Sequence, residues 1–223
     1  METAKREMTF LLAVPERKLL HWMAARLPRA MRPNHLTLIG VAGSVGVAVG
    51  YYLATRHPAW LWLSSGMLLV NWFGDSLDGT LARVRKVERP KYGYYIDHMV
   101  DAFTTAAIGS GVGLSPYVSL DLALVLVVIY LALSINIYLE SSVFGVFEIS
   151  YGIFGPTEVR LLLILANTVL VGAGTWFGVA PTAVARVADW AVAGLCVVMC
   201  ATLAIRFGKN LTRLARLEPQ RRD

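Results

Sequence analysis

The stretch "GDSLDGTLARVRKVERPKYGYYIDHMVDAF", Gly74 to Phe103, carries four aspartates: Asp75, Asp78, Asp97 and Asp101. Its flanks, "LWLSSGMLLVNWF" before and "TTAAIGSGVGL" after, have the composition of membrane spans. An ionised Asp at the centre of a membrane helix costs about 2.5–3.5 kcal/mol on insertion scales, and less toward the interface. Four of them need compensation.

Helical periodicity orders these residues. Asp75, Asp78, Gly79, Ala82 and Arg83 fall at i, i+3, i+4, i+7 and i+8, a single stripe, and Gly93, Asp97 and Asp101 fall at i, i+4 and i+8, a second one. Two facing helices would bring four carboxylates together. Arg83 can offset only one of them, and clustered carboxylates repel one another unless a cation sits among them. The natural solution is a divalent metal, and all-oxygen ligands favour hard ions such as Mg2+, Mn2+ or Ca2+ over zinc. Gly79 and Ala82 on the acidic stripe would let an anionic ligand approach the backbone, and Arg83 offers a forked cation for phosphate oxygens. Close helix packing explains the glycine and alanine equally well when they are taken without the acids.

The rest of the chain fits a membrane setting. Of 223 residues, 56% are hydrophobic and 16% charged, with a mean hydropathy of +0.56, which excludes an ordinary soluble domain. Spans are expected at about Leu36–Ala54, from Pro58 into the aspartate stretch, Gly93–Pro116, Val118–Tyr138, Val159–Phe177 and Val184–Ile205. The fold class is therefore an all-α integral membrane protein of six transmembrane helices, preceded by an N-terminal interfacial amphipathic helix over residues 15–31. In that helix Leu19, Leu20, Met23 and Leu27 can share a face, and docking on the bundle is the alternative to lying in the interface. The expected division is residues 1–35 as an N-terminal cytoplasmic or interfacial segment, 36–206 as the six-helix catalytic domain and 207–223 as a basic cytoplasmic tail. No cleavable leader is expected in "METAKREMTFLLAVPERK".

The net charge of +6 comes from blocks beside apolar runs, which fit topology signals and lipid headgroups better than nucleic acid. Nineteen Lys and Arg lie on the side of both termini and two on the other, so both termini and the acidic helix ends are expected at the cytoplasmic face of the plasma (inner) membrane. Cys196 and Cys200 lie four apart in an apolar run, as small hydrophobes do.

Written out, the stretch is D-x2-D-G-x2-A-R-x9-G-x3-D-x3-D, with all eight positions filled by Asp75, Asp78, Gly79, Ala82, Arg83, Gly93, Asp97 and Asp101. This pattern resembles the signature of the CDP-alcohol phosphotransferase family of integral membrane enzymes. The upstream "RPNHLT" is similar to the P-N-x-L-T segment often found at their first span. The resemblance implies a CDP-linked donor bound with its diphosphate on divalent metal, Mg2+ or Mn2+ and two ions, and an acceptor alcohol that attacks the β-phosphorus and expels CMP. It implies Asp75, Asp78 and Asp97 as metal ligands, and Asp101 as ligand and general base. Gly79, Ala82, Arg83 and Gly93 would shape the nucleotide and diphosphate pocket, with Asn34 and Thr37 nearby. An aspartate with an ordinary pKa near 3.9 is a poor base for an alcohol, and metal activation of the hydroxyl would ease that demand.

Further residues frame the acceptor. Glu140, Glu148 and Glu158 would suit an amine-bearing acceptor, or else are helix-end carboxylates, with Glu158 capping a helix after Pro156. Arg160 is the one cation outside the motif placed to meet a phosphorylated acceptor. His98 points about 100° away from the acidic stripe, and Asn71, four before Asp75, is a supporting or packing residue. Two rival readings are a UbiA-type prenyltransferase, to which "NWFGDSLD" is faintly similar but which needs more spans, and an ion carrier, which has no use for Gly79, Ala82 and Arg83. A homodimer through small residues in the later spans is expected.

Overall fold

The computed structural model describes residues 12–144, 155–176, 178 and 181–218. Among them there are helices and no strands. Helix α1 (Ala13–Arg26) precedes six long helices: α2 (Pro33–Leu53), α3 (Leu61–Val84), α4 (Pro90–Gly113), α5 (Leu120–Phe144), α6 (Pro156–Trp176) and α7 (Pro181–Leu217). Proline opens α2, α4, α6 and α7, where its missing N–H and fixed φ suit the first helical turn. By length and composition α2, α5 and the Val184–Leu217 part of α7 can cross a membrane. Apolar helices of this kind mark an integral membrane protein.

Helices α2 and α3 form the centre, with α4 against α2, α6 against α3, and α5 between α4 and α7. Leu36, Gly40, Gly43, Val47 and Gly50 make one buried face of α2. Glycine is needed where the backbones meet: a methyl group at Gly43 would come within 2.6 Å of the Asn71 nitrogen, and one at Gly74 would strike the backbone of Gly40 and Leu36. A buried polar chain runs across the same helices, from the Tyr51 hydroxyl to Asn167 Oδ1 at 3.0 Å and from Asn167 Nδ2 to Ser65 Oγ at 3.1 Å.

Helix α1 is shorter than its expected 15–31. It stops at Arg26 because Leu27, preceding Pro28, takes extended backbone (ψ 139°). It also docks on the bundle: Leu20 and Ala24 are buried with Leu36, Leu77 and Leu81, and Met23 and Leu27 pack beside them. Leu19, expected on that face, is 46% exposed, and Trp22 faces outward too. The connection after α1 is clasped by Arg85, which donates to the carbonyls of Leu27 (3.0 Å), Pro28 (2.8 Å), Arg29 (3.4 Å) and Met31.

At its far end α3 is stopped by a Schellman turn. Lys86 is left-handed (φ 56°), its N–H bonds the Arg83 carbonyl at 3.1 Å, and the Val87 N–H bonds the Ala82 carbonyl at 3.0 Å. Helix α7 runs on through residues 206–217, which contain no proline, and Arg206 and Asn210 tie it to Glu140 of α5.

Candidate active site

The turn between α3 and α4 sets their acidic faces side by side. One carboxylate oxygen each from Asp75, Asp97 and Asp101 lies within 4.8 Å of the other two. Asp75 is half-buried, whereas Asp97 and Asp101 are exposed, so the cluster opens outward on the α4 side. Asp78 does not join this trio. Three residues on from Asp75 it is rotated about 60° around α3, toward α2. There its Oδ2 accepts from Thr37 Oγ1 at 2.7 Å and its Oδ1 from the Gly79 N–H at 2.5 Å.

The counter-charge comes from another place than the motif. Arg83 donates to Thr80 Oγ1 at 3.1 Å, and it is Arg160 of α6 that pairs with Asp75, Nη2 to Oδ2 at 2.6 Å. Asn71 orients that arginine. Its Oδ1 accepts from Arg160 Nε at 2.9 Å while its Nδ2 donates to the Gly40 carbonyl at 2.9 Å, and it is 1% exposed. The lone arginine at the start of an apolar span was the only signal for this pair in the sequence.

Gly79 and Gly93 are not packing glycines. A methyl at Gly79 would meet nothing closer than Arg83 Nη1 at 3.5 Å, and one at Gly93 would meet nothing within 4 Å. The small residues of the two stripes therefore border open space beside the carboxylates. Ala82 is half-buried and Arg83 exposed on the same side of α3. Asn34, at the start of α2, donates to the Tyr92 hydroxyl at 3.1 Å, and Arg89 lies over the Tyr92 ring at 3.9 Å, linking the entry of α2 to that of α4.

Three converging carboxylates, with only oxygen donors, fit a hard divalent cation of the Mg2+ or Mn2+ type. Asp75 has one oxygen engaged by Arg160, and Asp78, with both oxygens engaged, stands beside the trio.

The outlying acids have other work. Glu140 binds Arg206 Nη2 (2.6 Å), Asn210 Nδ2 (2.6 Å) and Asn136 Nδ2 (2.6 Å), so it is a link between α5 and α7. Glu158 accepts from the Gly155 N–H at 3.0 Å, the expected cap of α6, and from the Leu12 N–H at 3.0 Å. Glu148 lies outside the described residues. His98 turns its Nδ1 to the Tyr94 carbonyl at 2.6 Å and stacks between Tyr94 and Tyr138, with ring centroids 4.1 and 4.3 Å away. One carboxylate the sequence reasoning passed over is Glu16, which receives Trp72 Nε1 at 2.7 Å and Thr157 Oγ1 at 2.6 Å; its signal was a place four residues before Leu20 on the apolar stripe of α1.

The family profile described as CDP-alcohol phosphatidyltransferase matches residues 30–204, which include every residue of the cluster. The chain belongs to that family. Among curated proteins it is similar to the phosphatidylinositol phosphate synthase of Cutibacterium acnes, 35% identical over 98 residues, covering 44% of this chain and 45% of that protein. It is also similar to the CDP-diacylglycerol–serine O-phosphatidyltransferase of Encephalitozoon cuniculi, 34% identical over 124 residues, covering 50% of this chain and 32% of that protein. The matches thus span less than half the length of these relatives.

Proposed function

We propose that this protein is a metal-dependent CDP-alcohol phosphotransferase of phospholipid biosynthesis, taking CDP-diacylglycerol as donor and an alcohol as acceptor. The observation that carries this is the meeting of Asp75, Asp97 and Asp101 beside the open faces of Gly79 and Gly93, within a chain of this family. The name of the second relative supports the choice of donor.

In this reading Asp75, Asp97 and Asp101 hold Mg2+ or Mn2+, two ions, with Asp78 completing the set. When bound, the metal neutralises diphosphate oxygens that would otherwise repel the nucleophile. The chain's own residues do the rest. Arg83, Ala82, Gly79 and Gly93 border the nucleotide and diphosphate, Asn34 and Thr37 line the α2 side, and Arg160 holds Asp75 in place. The acceptor hydroxyl oxygen forms a bond to the β-phosphorus, the bond from that phosphorus to the CMP oxygen breaks, and Asp101 takes the hydroxyl proton. CMP leaves with the electron pair of the broken bond.

The same reading has α2 to α7 as six spans, both termini and the site at the cytoplasmic face of the plasma membrane, and a homodimer, supported by the charge asymmetry and by apolar residues exposed on α5, α6 and α7. Of the carboxylates that would suit an amine-bearing acceptor, Glu140 and Glu158 are engaged in helix contacts of their own.

The test is CMP release from CDP-diacylglycerol by the purified protein, with inositol, glycerol 3-phosphate, serine and diacylglycerol compared as acceptors. Release should require a divalent ion and stop with a chelator. A prenyltransferase would instead free pyrophosphate from a prenyl diphosphate, and a carrier would free nothing; either result ends the proposal.

A further inference from the structure

A charged residue on the docking face of α1 needs a reason. Glu16 precedes Leu20 and Ala24 at i−4 and i−8, so it sits on the stripe that α1 buries against the bundle. One oxygen, Oε1, accepts both from Trp72 Nε1 of α3 at 2.7 Å and from Thr157 Oγ1 of α6 at 2.6 Å. A hydrogen bond left unmade at a half-buried site is expensive, and both donors, Trp72 and Thr157, depend on this one oxygen. Glu16 therefore does more than fasten α1. It joins two helices that are not its own.

Those two helices are the pair that carries the Asp75–Arg160 contact. Trp72 stands three residues before Asp75 and Thr157 three before Arg160, so each anchor is about one turn from a member of the ion pair. A second tie supports the first: Glu158 receives the N–H of Leu12, just ahead of α1. At the other end Arg85 clasps the carbonyls that follow α1. The strap is thus fixed at both ends, and its single internal carboxylate lies over the α3–α6 seam.

We propose that Glu16 is a positioning residue that, by bridging Trp72 and Thr157, sets the register of α3 against α6 and so the placement of Asp75 in the acidic cluster. The inference rests on the metal-binding role proposed for that cluster. It makes a specific demand: the bridge matters through its oxygen, which accepts from two donors, and not through its charge. A purely structural anchor would alter thermal stability and leave the affinity of the cluster for a cation unchanged.

The experiment measures Mn2+ binding to the purified full-length protein in detergent, from the electron paramagnetic resonance signal of free Mn2+, alongside thermal unfolding. Glu16→Ala should weaken Mn2+ binding about tenfold, the low end for residues that orient metal ligands, and Thr157→Val should weaken it about threefold. Glu16→Gln, whose amide oxygen can accept both bonds, should stay within about twofold of the unsubstituted protein. Thr157→Val keeps the shape of the side chain and carries the test should Glu16→Ala fail to fold. Wild-type affinity in Glu16→Ala or Thr157→Val, or loss in Glu16→Gln equal to that in Glu16→Ala, overturns the inference. If the unsubstituted protein binds no Mn2+, the proposed metal site falls with it; if it binds Mn2+ and releases CMP while the substitutions change nothing, only the positioning role falls.

Discussion

Gly74 and Gly79 lie five residues apart on α3, and they are glycine for different reasons. At Gly74 the backbone of α2 comes so close that a methyl group would collide with Gly40 and Leu36; at Gly79 the nearest obstacle is the tip of Arg83, 3.5 Å away. At Gly74 the helix is shaped by its neighbours. At Gly79 it is shaped by space that the protein leaves open beside its carboxylates. Small residues in a membrane sequence therefore carry two meanings, and only the surroundings separate them.

The contrast can be broken most forcefully on the open side. Asp101→Asn, with its neighbours intact, should lower CMP release by about 10²–10⁴-fold, the range for a positioned acid–base group, while thermal unfolding stays where it was. Equal losses of activity and stability would mean that the open side is structural after all. On the packed side, Gly74→Ala should destabilise the protein by about 1–3 kcal/mol, as overpacking does, read as a lower unfolding midpoint in detergent. Because Gly40 also lies against the Asp75 backbone, the same substitution should weaken Mn2+ binding. The smallest effect is the most telling. Gly79→Ala should stabilise α3 by about 0.5–1 kcal/mol, the usual gain from removing a helical glycine, and yet raise the KM for the CDP-linked donor. A stable Gly79→Ala protein with an unchanged KM would show that no ligand approaches that backbone.

The sequence made the two acidic stripes legible because a helix repeats every 3.6 residues, so Asp75 on α3 and Asp97 and Asp101 on α4 could be phased without knowing the fold. The order of the helices was legible for a similar reason, since proline and apolar runs mark where each begins. Other features depend on distance through space. The Asp75–Arg160 pair joins residues 85 apart, and the Glu16–Thr157 bond joins residues 141 apart. No periodicity connects such positions. Asp78 stands apart from the other three for a subtler reason: a stripe at i and i+3 spreads about 60° around the helix, enough for a neighbouring Thr37 to bond one edge of it. The end of α1 was readable in principle, since Leu27 precedes a proline, but the apolar pattern continued past it to Met31.

The Schellman stop at the end of α3 turns the spacing of the aspartates into a ruler. Ala82 to Val87 are locked by that turn, Arg85 is committed to the loop after α1, and Pro90 restarts the chain as helix. Almost no slack remains between the two acidic faces, so a residue added or deleted inside either helix would swing its downstream carboxylates by about 100°. Only Glu88 and Arg89 can absorb a change in length, which makes that short connection the one place where an insertion could leave the cluster assembled.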